Sequence, residues 1–130
     1  MEFTQWKQAA GLRLDPQQDA AVQAADGPVL LLAVPGSGKT TVLVARLGYL
    51  RYVRGVPPER ILTMTYTVAA ARDMRRRFAA LFGEQESRLL EFRTINGVCS
   101  RIIRLYERTM GRTAFRLMED GGQKNALLGE

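Results

Sequence analysis

Short apolar runs alternate with longer segments of helical periodicity along this chain, and that alternation predicts its fold class. "GPVLLLAV" at 27–34 is short, continuous and apolar behind a Gly-Pro break, the pattern of a strand buried on both faces. "ILTMTY" at 61–66 and "LLEFRT" at 89–94 read as two further strands. Between and around them lie amphipathic segments predicted as helices, at about 3–10, 15–25, 38–52, 68–82 and 96–108. The helix after Leu14 carries its own start signal, with Asp15 as N-cap, Pro16 at the first position and Gln18 where a capping box places Glu or Gln. Ala71, Met74, Phe78 and Leu81 mark the inward face of the fourth helix; Val98, Ile102 and Leu105 or Tyr106 mark that of the fifth. "GEQES" at 83–87 reads as a loop.

Strands separated by helices imply parallel pairing through right-handed crossovers. The expected architecture is therefore α/β, a parallel sheet of three strands flanked by helices. Ligands on such a sheet sit beyond the carboxyl ends of the strands. "VPGSGKT", "YTVAA" and "TINGV" are the segments this topology gathers there.

One of them carries recognisable chemistry. The phosphate-loop pattern is Gly, four residues, then Gly-Lys-Ser/Thr. This chain has Ala33 in the first glycine position, then Val34, Pro35, Gly36, Ser37, Gly38, Lys39, Thr40 and Thr41. Glycines let successive backbone N–H groups turn inward as an anion nest, and the helix that follows adds its positive end. Lys39 is placed to reach the outer phosphates and the Thr40 hydroxyl to ligate Mg²⁺. Lys39 and Thr40 are thus the candidate catalytic residues, within a P-loop nucleotide site spanning 34–41.

Composition narrows the chemistry further. The chain has no histidine and a single cysteine, Cys99, so histidine catalysis, Cys/His zinc sites and a disulfide framework are excluded for these 130 residues. Residues 72–116 hold 11 arginines against 5 acids, while the remainder of the chain is balanced. A positive field concentrated behind the phosphate loop suits a polyanion, although solvated helix faces would give the same count. The first residues lack the basic start and long apolar run of a signal peptide, and the run 29–35 is far too short to span a bilayer. A cytoplasmic setting is expected.

The segments around the loop choose among nucleotide-binding families. "LDPQQDAAV", "LLLAVPGSGKTTVLVARLGYL", "ILTMTYTVAAARDMRRRF" and "FRTINGVCSRIIR" follow one another in the order and spacing of the UvrD/PcrA/Rep-like superfamily 1 DNA helicases, which this chain resembles over roughly residues 12–120. The resemblance implies a RecA-like motor fold, ATP and Mg²⁺ as cofactors, and single-stranded DNA as partner. It makes Gln18 the Q-motif residue that contacts adenine, a task in competition with capping its own helix. It places Thr65, Tyr66 and Thr67 in motif Ia, with Tyr66 near the DNA strand as a stacking platform. Val68 and Ala69 replace that motif's polar pair. In motif Ib, Thr94 is kept and Asn96 stands where the family has histidine; Asn96 is a candidate DNA contact or a helix cap. Arg101, Arg104 and Arg108 follow on the same helix as phosphate contacts or solvated residues.

A helicase motor also needs an acidic pair behind a buried strand, and arginines from a second motor domain. "RLMED" at 116–120 lacks such a strand, so Glu119 and Asp120 read as surface or helix-start residues. The expectation is an N-terminal piece of a longer helicase, with 1–112 belonging to the first motor domain and 113–130 opening an inserted helical subdomain. In the family, translocation is 3′ to 5′. A stand-alone ATP or nucleic-acid binding module is the alternative; a small nucleotide kinase would need a lid and acceptor-site acids for which no candidate is visible.

Overall fold

The computed structural model describes residues 1–111. Residues 1–94 and those from 95 onward form separate compact units. The first unit begins with α1 (Phe3–Ala9) and α2 (Pro16–Gln23). It continues through α3 (Lys39–Gly48), a single π-helical turn at Tyr49–Val53 and a short 3₁₀ turn at Pro58–Arg60. Strand β1 (Leu62–Thr65), α4 (Val68–Phe82), α5 (Glu84–Leu89) and β2 (Glu91–Thr94) complete it. The second unit opens with α6 (Ile95–Met110).

The α2 start forms as its sequence dictates. The Asp15 side chain accepts from the Gln18 amide, and the Gln18 side chain accepts from the Asp15 amide, closing a capping box. Helix α4 spans the predicted residues, capped by the Thr67 hydroxyl on the Ala70 amide. Its inward stripe is Ala71, Met74 and Phe78, all buried. Leu81, expected on that stripe, is 40% exposed, and the neighbouring Phe82 packs against the core instead.

Strands β1 and β2 pair in parallel, with Leu62 opposite Glu91 and Thr65 opposite Thr94. The core over this pair joins Val44 and Leu47 of α3, Ile61, the α4 stripe, Leu90 and Phe92. Phe78 is fully buried there, a side chain whose burial contributes about 1.5–3 kcal/mol. A second cluster seats α1 and α2 on α3: Trp6, Val22, Val42, Ala45 and Tyr49. Gly48 is where the two aromatic groups close in. A β-carbon there would stand 2.8 Å from Trp6 Cζ2 and closer still to the Phe82 ring, so only glycine fits.

Three expectations need correction. The sheet described has two strands, not three, because residues 27–34 form no strand. Their apolar side chains lie open to solvent, alternating from Val29 at 48% and Leu31 at 42% to Leu30 at 82% and Leu32 at 84%. A parallel strand buried on both faces needs neighbours to receive its backbone hydrogen bonds. Among the described residues β1 and β2 pair only with each other, so the run has none. Beside β1, Leu43, Leu47, Leu50, Leu62 and Met64 line an open apolar cleft of about 470 Å³. The "GEQES" segment is helical rather than a loop, beginning at Gly83 with φ +98° and burying Ser87 completely. In α6 no residue is buried: Ile102, Leu105 and Tyr106 are 51–64% exposed. Its apolar stripe has the predicted period but finds no cover in the second unit as described.

Candidate functional site

The loop at 34–38 is built from two left-handed glycines and one tight serine. Gly36 has φ +79° and Gly38 φ +81°, conformations that a side chain disfavours. Between them, Ser37 sends both its amide (3.2 Å) and its hydroxyl (2.6 Å) to the Val34 carbonyl. The turn thus folds back on Val34 and delivers the chain into α3, whose N-cap is Gly38 and whose first residue is Lys39. Lys39 is exposed and makes no hydrogen bond or ion pair among the described residues. Thr40 and Thr41 follow in the first turn, half-buried and exposed. Free N–H groups at the start of a ten-residue helix, two left-handed glycines and an unpaired ammonium are a donor set for an anion. These residues fit a nucleotide's phosphates, and the Thr40 hydroxyl fits a Mg²⁺ ligand.

Gln18 reaches this loop from α2. Its Oε1 accepts from the Asp15 amide at 3.0 Å while its Nε2 donates to the Ser37 carbonyl at 3.3 Å. Sequence reasoning weighed capping against a contact with adenine; it missed the contact with the loop, which joins residues 19 apart. Helix α2 holds Gln18 in place through the buried Val22, the Lys7–Asp19 ion pair at 2.6 Å and a bond from Arg46 Nη1 to the Ala21 carbonyl at 2.8 Å.

Of the residues expected to contact DNA, Thr65 and Thr94 lie at the carboxyl end of the strand pair, with Tyr66 and Thr67 directly after β1. Thr65 and Thr94 are direct register partners there. The Thr65 hydroxyl donates to the Thr67 carbonyl at 2.9 Å, and the Thr67 hydroxyl is taken up by the α4 cap at 3.1 Å. Between them Tyr66 projects 90% exposed, the most exposed of the large hydrophobic side chains among the described residues. Val68 beside it is 56% exposed. Asn96 lies inside α6, which starts one residue earlier at Ile95, so it is not that helix's flanking cap.

The arginines are less free than their number suggests. Arg76 and Arg77 both bond Asp73 at 2.8 Å, Arg93 pairs with Glu91 at 2.6 Å, and Arg88 lies 3.7 Å from Glu84. Hydrogen bonds from Arg76 and then Arg77 hold the Asp73 carboxyl below its ordinary value. Arg75 lies over the Phe92 ring, 5.5 Å from its centre. Much of the first unit's positive field is therefore met locally by carboxylates. Tyr52, its hydroxyl raised by burial and then by the Glu86 charge, sits in a separate aromatic patch with Phe82.

Glu119 and Asp120, and the boundary expected at 112/113, lie outside the described residues. No group of acids, cysteine or histidine able to hold a metal ion occurs among the described residues. No described helix is long and apolar enough to cross a membrane.

The UvrD/REP helicase N-terminal domain family matches residues 14–128. The chain is 36% identical over 115 residues to the ATP-dependent DNA helicase PcrA of Leuconostoc citreum, covering 88% of this chain and 15% of that protein. It is 35% identical over the same length to the PcrA of Staphylococcus epidermidis, covering 16% of that protein. The PcrA of Staphylococcus aureus is 34% identical over 115 residues, again at 88% and 16%. The chain thus spans about one sixth of the length of these relatives. With that family matching 115 of its 130 residues, the chain belongs to the UvrD/REP helicase family, in its N-terminal domain.

Proposed function

We propose that this chain is the ATP-gripping part of an ATP-dependent DNA helicase that moves 3′ to 5′ on single-stranded DNA. The observation that carries the reading is the left-handed Gly36–Ser37–Gly38 turn feeding an unpaired Lys39 into the start of α3. Val34 to Thr41 cradle the phosphates of ATP, Lys39 meets the outer ones and Thr40 ligates Mg²⁺, which neutralises charge on the phosphates when bound. Gln18 contacts the base. Single-stranded DNA crosses the carboxyl ends of β1 and β2, with a base stacked on the exposed Tyr66 and phosphates near Thr65, Thr67 and Thr94; Asn96, on α6, is a further DNA contact. The water-positioning acids and the second motor domain are assigned to a longer polypeptide, in keeping with the share of about one sixth of its relatives' length that the chain spans. The protein works in the cytoplasm on DNA.

On this reading the chain binds Mg-ATP weakly and turns it over negligibly, with or without single-stranded DNA. A phosphate-release assay tests it. DNA-stimulated hydrolysis by these residues alone would contradict the assignment of the cutting groups to other parts of the protein.

A further inference from the structure

We infer that Gln18 is a positioning residue for the phosphate loop itself, setting its grip on any triphosphate independently of the base. The inference rests on the reading of 34–41 as a phosphate site. The geometry is specific. Gln18 Nε2 donates to the Ser37 carbonyl at 3.3 Å, and the same nitrogen lies 2.9 Å from where a β-carbon on Gly38 would stand. The Gln18 head group is therefore wedged against the Ser37–Gly38 peptide, with its other end fixed by the Asp15 amide at 3.0 Å.

That peptide is trans, as are all peptides described. In a planar trans peptide the C=O and N–H vectors oppose each other. Holding the Ser37 carbonyl toward Gln18 thus turns the Gly38 N–H away from it and fixes one donor of the nest in advance of any ligand. Gly36 and Gly38 have no side chains to fix this orientation themselves, and the Ser37 side chain is already spent on Val34 at 2.6 Å. Gln18 is the one described side chain outside the loop that hydrogen-bonds this turn. Its base is rigid, since α2 is packed through Val22 and tied by Lys7–Asp19. A preorganised nest loses less freedom when the anion arrives.

Two measurements separate this role from capping and from base contact. In the unliganded chain, Gln18→Glu keeps an acceptor for the Asp15 amide, as a capping box permits, but removes the donor to Ser37. The backbone ¹⁵N order parameter at Gly38 should fall from about 0.85 toward 0.6 or below, with the far-ultraviolet circular dichroism unchanged. An unchanged order parameter overturns the inference. The second is a calorimetric titration with Mg-tripolyphosphate, which has no base. Gln18→Ala should weaken it by about three- to tenfold, the worth of one hydrogen bond. Asp15→Ala, which breaks the cap but keeps the Gln18 donor, should leave it unchanged. If Gln18→Ala weakens ATP alone, or Asp15→Ala weakens tripolyphosphate equally, Gln18 acts only on the base or only as a cap. If the unaltered chain takes up no tripolyphosphate and Lys39→Ala makes no difference, the phosphate site itself is wrong.

Discussion

Residues 27–34 and residues 61–94 have the same kind of sequence signal and opposite fates. Both contain short apolar runs next to amphipathic helices. In 61–94 the runs become a parallel pair covered by α4, with Phe78 and Phe92 buried. In 27–34 the most apolar run of the chain stays unpaired, with Leu30 and Leu32 more than 80% exposed. The difference lies in partners, not in hydrophobicity. β1 and β2 are 29 positions apart in register, joined by helices that return the chain to its own sheet edge. The 27–34 run is followed by α3, which packs on α4, yet no described strand lies alongside the run itself. Hydrophobic character selects a buried strand; hydrogen-bonding neighbours make it one.

Substitutions can break that comparison, beginning with the largest effect. Phe78→Ala should destabilise the first unit by about 3–5 kcal/mol, enough to unfold much of it, as read by urea titration of the circular dichroism signal. Gly48→Ala should cost about 1–3 kcal/mol by forcing Trp6 and Phe82 apart, visible as a lower urea midpoint and altered tryptophan fluorescence. Asp15→Ala removes the α2 cap and should cost about 1 kcal/mol. At the other end, Leu32→Ser should change stability by no more than about 0.5 kcal/mol, since the side chain is 84% exposed. Should Leu32→Ser destabilise the chain as Phe78→Ala does, the run is packed and the contrast disappears. The smallest effect concerns Asp73. Its carboxyl is lowered by Arg76 and Arg77, so whatever stability the pair supplies is present above the unfolded carboxylate value and lost as pH falls through the lower folded one. Asp73→Asn should therefore flatten the acid limb of the stability curve, by slightly lowering neutral-pH stability while leaving stability at low pH unchanged.

Much of what forms is legible from local chemistry. Asp15, Pro16 and Gln18 announce α2, and the Ala71, Met74 and Phe78 spacing announces α4, because caps and periodicity act within a few residues. The turn that leads into α3 is legible for the same reason: Gly36 and Gly38 act through the backbone around them. What escaped depends on distance. That Gln18 would touch Ser37 follows from α2 packing beside α3, which no local pattern encodes. The α6 stripe and the 27–34 run show the converse, an apolar pattern that finds no burying surface among the described residues. The "GEQES" helix was hidden by its charge, since it buries only Ser87 and is held by Gly83 at its start.

On the proposed function, the Gly36–Thr41 turn grips nucleotide phosphates. Isothermal titration of the chain with Mg-ATP, alongside Lys39→Ala, tests it most directly. Weak but saturable binding by the unaltered chain and none by Lys39→Ala is the expected result; equal affinity in the two would overturn the phosphate site.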